Sequence, residues 1–198
     1  MDRRRNGGAR DPWKQILRPA VQAKGDRPAV VLCQQSLQWV FGEQREGIRS
    51  AEDAERVKQA ADALEKYVRL LLADGADLVF VAMHIYKKPM EPEIGNERLA
   101  LAELMSRKIP NVFAGPDVWE PTRQQYPKAF AGDRLHPNSI GAEIMAQMWF
   151  ETLLKHDGSE VPEWSRQEMA QAVENEPVEL RGGGFQRLLR EWGTRQPT

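Results

Sequence analysis

The sequence has a single cysteine, Cys33, so an internal disulfide and a cysteine-rich zinc site are excluded. It has no excess of either charge, because 28 lysines and arginines stand against 29 aspartates and glutamates. This balance argues against a nucleic-acid binder that depends on bulk positive charge. Apolar runs such as 78–83 are too short to cross a bilayer, and no secretory signal follows Met1. For the chain as it begins here, we expect a cytoplasmic protein with neither a nucleic-acid nor a membrane partner.

Three short apolar segments have the composition of buried parallel strands. They are residues 28–33, 77–84 and 111–114. Helical periodicity fills longer stretches of the chain. These run from Ser50 to Gly75, from Glu97 to Arg107 and from Ser139 to His156. Residues 115–133 are rich in proline and glycine and are predicted to be irregular. The alternation predicts an α/β fold, a flavodoxin-like parallel sheet with helices on both faces in three α/β/α layers.

Three strands are few for such a sheet, and the chain opens on a helix that begins at Asp11 with no strand before it. We therefore expect the first strand to be missing, which makes 28–33 the second strand. The predicted organisation is a flexible basic N-terminus over 1–10, an α/β domain over 11–156 and a helical C-terminal extension over 157–198.

The C-terminal extension has its own apolar pattern, with side chains at helical spacing. These are Phe185, Leu188, Leu189 and Trp192. Two interpretations remain open: the helices dock on the α/β domain, or they form an oligomer or partner interface.

The segment with a chemical signature is 132–141, GDRLHPNSIG. A carboxylate three residues before a histidine, on a loop that enters a helix, can accept the Nδ1 proton of the imidazole. That bond leaves Nε2 free as a general base. Pro137 keeps the backbone of His136 extended, and Asn138 or the next residue can cap the helix. The spacing therefore predicts a base, His136, oriented by an acid, Asp133.

Residues 133–138 followed by Gly141 resemble the C-terminal block of the SGNH (GDSL-type) hydrolases, which are flavodoxin-like α/β esterases and lipases with a Ser-His-Asp triad. The order of elements over 11–156 is similar to that of bacterial members. The resemblance implies that His136 activates a serine with Asp133 as its partner. It also implies a route through a covalent acyl-enzyme, with no metal or cofactor. The implied substrate is a small ester or an acylated carbohydrate.

The nucleophile is the open question. The family's serine lies in a Gly-Asp-Ser-like turn directly after the first strand, and this sequence has no such turn. One explanation is that an upstream segment carries the strand and the serine; the other is that a shortened paralogue lost its nucleophile and only binds. Within the chain, Ser36 lies just past the carboxyl end of a predicted strand, where parallel sheets bind ligands. It lacks the flanking glycines of a nucleophile elbow, so a polar loop residue is the alternative.

His84 ends the most apolar strand and has two interpretations. It donates to an oxyanion in place of the family's asparagine, or it is a structural histidine bonded to a neighbouring loop. A metal site built from His84, Asp133 and His136 is a third-ranked alternative. The sequence thus leaves three functions in order of preference: a serine ester hydrolase, an inactive binding domain with the same cleft, and a metal-assisted hydrolase.

Overall fold

The computed structural model describes residues 18–34, 37–41, 47–91 and 93–161. The helices there are α1 (Arg18–Gln22), α2 (Ala54–Ala73), α3 (Glu97–Ser106), α4 (Trp119–Gln124) and α5 (Ser139–His156). The strands are β1 (Val30–Gln34), β2 (Leu78–Ala82) and β3 (Val112–Ala114). Short 3-10 helices cover Leu37–Val40 and Lys88–Met90. No helix in these ranges has the length and apolar composition needed to span a membrane.

Several sequence-based predictions fall on residues outside the described ranges. Ser36, the segment 1–10 and nearly all of the extension 157–198 lie there. The predictions for these segments, including the two interpretations of the C-terminal helices, stay predictions.

The three strands form one parallel sheet in the order β1-β2-β3. β1 pairs with β2 in register from Val30 opposite Leu78 to Gln34 opposite Ala82. β2 then pairs with β3, with Val79 opposite its first residue. Parallel pairing requires a crossover between consecutive strands, and α2 and α3 supply the two crossovers.

One face of the sheet packs against α2 and α3. Val79 and Val81 of β2 and Cys33 of β1 are buried there. Burial raises the pKa of the Cys33 thiol to about 11, so the thiol stays protonated and unreactive. Buried apolar side chains of both helices face them. These are Ala60, Leu64, Val68 and Leu71 of α2 and Ala100 and Leu104 of α3.

The opposite face carries α5. The ring of His156 lies 5.0 Å from that of Phe80 and 4.2 Å from that of Phe113, measured between centroids. The indole N–H of Trp149 donates to Oε1 of Gln34 at 3.1 Å. Helices therefore cover both faces of the sheet, which confirms the predicted three-layer α/β/α fold.

The direction of α5 places its N-terminus beyond the carboxyl ends of the strands. Its last residue, His156, lies against Phe80 in the middle of β2, whereas Trp149, earlier in the helix, reaches Gln34 at the end of β1. The helix is thus antiparallel to the strands. Residues 133–136, which precede α5, lie at the edge of the sheet where parallel α/β folds bind ligands.

Two local predictions are wrong. The sequence predicts that α2 begins at Ser50, but the helix begins at Ala54. Its N-cap is Asp53, whose Oδ1 accepts the N–H of Arg56 at 3.3 Å. The stretch 115–133, predicted to be irregular, contains α4. Its proline lies in the first turn of the helix, where the missing N–H costs no hydrogen bond.

β1 is also less buried than its composition predicts. Its side chains facing α2 and α3 are covered, but Val30 is 43% exposed and Leu32 is 45% exposed on the other face. β1 lies at an edge of the sheet, and the described part of α5 covers only its carboxyl end, through Gln34. An edge strand can therefore have the same uninterrupted apolar sequence as a central strand.

Candidate active site

The loop that carries the two candidate catalytic residues is closed at its base by main-chain hydrogen bonds. Phe130 and Pro137 form an isolated antiparallel bridge, and the N–H of Ala131 donates to the carbonyl of His136 at 2.9 Å. At the tip, Arg134 has a φ of 58°, in the left-handed region that reverses the chain. The loop is thus a tight hairpin whose two ends are hydrogen-bonded to each other.

Asp133 is held by three hydrogen bonds. Its Oδ2 lies 2.5 Å from Nδ1 of His136. Its Oδ1 accepts the N–H of Leu135 at 2.9 Å and the N–H of His136 at 3.0 Å. The bond to the His136 ring, followed by the two backbone bonds, holds the pKa of the Asp133 carboxyl well below its usual range. The carboxylate is therefore ionised at neutral pH and fixed in orientation.

The contact determines what the imidazole of His136 can do. A carboxylate only accepts, so Nδ1 carries the proton, and in the neutral form of the ring Nε2 has a free lone pair. The His136 side chain is 78% exposed, so that lone pair is accessible to a substrate. The spacing of Asp133 and His136 in the sequence predicted this contact; their catalytic role stays a prediction.

The rest of the motif anchors the loop to α5. Asn138 is the N-cap of α5, and its Oδ1 accepts the N–H of Gly141 at 3.2 Å. Its side-chain amide donates to the carbonyl of Lys128 at 2.8 Å. A Cβ on Gly141 would lie 2.3 Å from the carbonyl oxygen of Ala129. These residues therefore fix the position of His136 and take no direct part in the proposed proton transfer.

An aromatic cluster that the sequence did not predict lies under this loop. Phe130 packs with Tyr86, Trp119 and Tyr126 in a second buried core, with ring centroids 5.4 Å apart for Tyr126 and Phe130. Thr122, fully buried, accepts the N–H of Tyr86 at 3.0 Å. The base of the loop is thus packed against α4 and the segment after β2.

His84 follows β2, and its bonding disagrees with the predicted role as an oxyanion donor. Its Nδ1 lies 2.8 Å from the carbonyl oxygen of Ile85, and a carbonyl only accepts, so Nδ1 carries the proton. Burial lowers the pKa of His84, which keeps the ring neutral. Its Nε2 then has no proton to donate. The bonding partner is the next residue in the chain and not a neighbouring loop, so the structural interpretation stays a prediction.

The metal site considered from the sequence does not form either. Within the described ranges, no three side chains of histidine, cysteine, aspartate or glutamate lie close enough together to hold a metal ion. His84, Asp133 and His136 all belong to those ranges. The three therefore do not make a ligand set.

Ser36 lies outside the described residues, and the nearest described residues are Gln34 and Leu37. Gln34, the last residue of β1, accepts the indole N–H of Trp149 from α5. The N–H of Leu37 donates to Oε1 of Glu97 at 2.7 Å. Sequence reasoning missed Glu97, because an acidic residue in the first turn of a helix is ordinarily exposed and carries no sign of its burial.

Searches with the sequence found no matching family model and no matching curated protein, and no solved structure matches the fold at a meaningful level. The function of this chain is therefore inferred from its own geometry and from the resemblance carried by residues 133–138 and Gly141.

Proposed function

We propose that this chain is a serine ester hydrolase of the SGNH type, with Ser36 as nucleophile, His136 as general base and then acid, and Asp133 as the group that orients it. The observation that carries the proposal is the Asp133–His136 contact of 2.5 Å at the carboxyl edge of a parallel sheet. The substrate implied by the resemblance, a small ester or an acylated carbohydrate, is part of the proposal.

The strand pairing limits where β1 can lie in the family's strand order. In the flavodoxin-like order 2-1-3-4-5, the second strand does not pair with the third, because the first lies between them. β1 and β2 pair directly over five residues, so they do not fit as second and third strands. The direct pairing fits the orders 1-3-4 and 3-4-5, and β1 is the first strand only in the order 1-3-4. Ser36, two residues after Gln34, then follows the first strand as the family's nucleophile does.

The proposed reaction has two halves, acylation of the serine and hydrolysis of the acyl-enzyme, and His136 transfers a proton in both. Nε2 of His136 takes the proton of the Ser36 hydroxyl as the oxygen attacks the ester carbonyl, and Asp133 stabilises the imidazolium. The imidazolium returns the proton to the leaving alcohol, which gives an acyl-enzyme. Water, deprotonated by the same Nε2, then releases the acid and restores the serine.

The test is covalent labelling of the whole chain with a fluorophosphonate, combined with p-nitrophenyl acetate turnover. We expect wild-type protein to be labelled at Ser36, as located by peptide mass spectrometry, and Ser36→Ala to lose both labelling and turnover. Ser50→Ala removes an exposed serine outside the site and serves as the matched control, with wild-type behaviour. In His136→Ala we expect turnover to fall by about three orders of magnitude or more.

Three outcomes contradict the proposal in different ways. Labelling that persists in Ser36→Ala transfers the nucleophile to another residue. Absence of labelling in folded wild-type protein favours the inactive binding domain or a serine on an upstream segment. Turnover that requires added zinc and is lost with a chelator favours a metal-assisted reaction.

A further inference from the structure

The sheet has an apolar surface that the described part of the chain leaves uncovered. Leu32, Phe80 and Phe113 lie opposite one another in the three strands, in one row on the face that carries α5. Phe80 is 1% exposed, whereas Leu32 is 45% exposed. Val30, two residues before Leu32 on the same face, is 43% exposed. The row is therefore covered in its middle and open at β1.

The position of α5 explains this difference. The ring of His156 lies closer to the ring of Phe113 than to that of Phe80, so the end of α5 lies over β3 and β2. A helix with its side chains is about 10–12 Å wide and strands are about 4.8 Å apart, so one helix covers about two strands. Covering the third strand of this face, β1, requires a second element.

The side of α5 next to β1 is also apolar. Trp149 of α5 donates to Gln34 of β1, and Leu153 lies one turn later on the same face of the helix. Both apolar side chains are only half-buried. The β1 groove, defined here by Val30, Leu32, Trp149 and Leu153, therefore has apolar residues on both its strand and its helix. A surface of this kind favours an amphipathic helix as its occupant.

The sequence after the described residues contains a segment of this kind, residues 185–192. Its apolar side chains recur at the spacing of one helical face, and its other residues are polar or charged. The apolar residues are Phe185, Leu188, Leu189 and Trp192. As a helix, eight residues are about 12 Å long, and the distance along β1 from Val30 to Gln34 is about 13 Å. The segment thus matches the β1 groove in both length and polarity.

The end of α5 brings this segment within reach of the groove. α5 ends at His156 on the same face of the sheet, and the described chain continues to Val161. The 23 residues 162–184 span about 35 Å if they are wholly helical and about 75 Å if they are extended. β3 and β1 are two strand spacings apart, about 10 Å. A segment of the same chain also avoids the entropy loss of bringing two molecules together.

We propose that residues 185–192 form a helix that docks in the β1 groove, with its apolar face on Val30 and Leu32. The docked helix covers β1 as α5 covers β2 and β3, and it completes the layer of helices on this face. Of the two interpretations of the C-terminal extension, this is docking on the α/β domain. The inference does not depend on the proposed hydrolysis, because the groove contains neither Asp133 nor His136.

The test measures how fast an introduced thiol is alkylated in the full-length chain. Leu32→Cys places the thiol in the β1 groove. Leu70→Cys is the matched control, because Leu70 lies on α2, on the other side of the sheet, and is 46% exposed. Cys33, the single cysteine of the sequence, is replaced by alanine in every variant, so the introduced thiol is the only one. Because the two leucines are equally exposed among the described residues, a difference in rate reports a cover over the groove.

We expect N-ethylmaleimide to alkylate Leu32→Cys about 10-fold more slowly than Leu70→Cys, because the docked segment must first open locally. Adding Leu188→Gln and Leu189→Gln interrupts the apolar face of the segment and should restore the fast rate. Adding Arg187→Gln and Arg190→Gln instead changes the same number of residues on its polar side and should leave the rate slow. If Leu32→Cys does not fold, Val30→Cys repeats the measurement at the amino end of the groove.

A pair of introduced thiols identifies the occupant. In a chain with both Leu32→Cys and Leu188→Cys, we expect mild oxidation at low protein concentration to form a disulfide within one molecule. The product migrates as a monomer on a non-reducing gel, and peptide mass spectrometry locates the bond. The pair Leu70→Cys and Leu188→Cys is the control and should stay reduced under the same conditions.

Three results overturn the inference. Equal alkylation of Leu32→Cys and Leu70→Cys means that the β1 groove is uncovered in the full-length chain. Slow alkylation that does not respond to substitution at 188 and 189 assigns the groove to another part of the chain. A disulfide-linked dimer, or protection that increases with protein concentration, assigns it to a second copy. Each result leaves the assignment of Ser36, which is tested by labelling, unaffected.

Discussion

At the scale of single residues, Asp133 shows how a short spacing becomes a defined contact. It lies three positions before His136, and the chain reversal at Arg134 brings the carboxylate back onto Nδ1. The same carboxylate also binds two backbone N–H groups of the loop. The side-chain contact was predictable from the sequence. The backbone bonds were not, because they depend on a φ angle that arginine rarely adopts.

The bonding of Asp133 predicts its titration. We expect the pKa of this carboxyl, followed by carbon-detected NMR, to lie below the ordinary value of about 3.9, because the ring of His136 and two N–H groups stabilise the charged form. A depressed pKa means that the contact stabilises the folded loop fully at pH values above the unfolded pKa. The contribution is lost as the pH falls through the folded value.

The largest cause of this shift is the His136 side chain, so His136→Ala should raise the pKa of Asp133 towards its ordinary value. His84→Ala removes another histidine without touching Asp133 and should leave the titration unchanged. An Asp133 pKa that is the same with and without the His136 ring would contradict the contact.

At the scale of elements, the start of α5 explains a glycine in the motif. Gly141 lies in the first turn of α5. A Cβ at this position would lie 2.3 Å from the carbonyl oxygen of Ala129 and 2.9 Å from Cβ of Pro137. The helix therefore lies against the loop base only because this position lacks a side chain. The sequence showed the glycine but not this close approach.

This close approach predicts that Gly141→Ala lowers the free energy of unfolding by about 1–3 kcal/mol, since backbone atoms must move to admit the methyl group. Gly132→Ala is the matched control at the other end of the same motif, because a Cβ there has no atom within 4 Å. We expect it to stay within about 0.5 kcal/mol of wild type. Both values come from urea denaturation, and equal stability of the two variants would contradict the packing.

At the scale of the whole molecule, the sheet is asymmetric. β2 lies between two strands and under helices on both faces, whereas β1 lies at an edge with two apolar side chains exposed. The sequences of the two strands are similarly apolar. Only the strand order, set by the crossovers through α2 and α3, determines which strand is in the centre.

The asymmetry predicts different costs for the same substitution. Val79→Ala, at a fully buried position of β2, should lower the free energy of unfolding by about 2–3 kcal/mol through lost burial and a residual cavity. Val30→Ala, at a position 43% exposed on β1, should cost less than about 1 kcal/mol, mainly through strand propensity. Chemical denaturation measures both, and similar losses would mean that β1 is as buried as β2.

The sequence by itself determined the α/β alternation, the bounds of α5 and the pairing of Asp133 with His136. These depend on hydrophobic periodicity and on contacts between residues three or four positions apart, which local chain geometry fixes. The tertiary structure alone decided the direct pairing of β1 with β2 and the burial of Glu97 against Leu37. Those contacts join residues up to 60 positions apart, and they form only when the helices pack across the sheet.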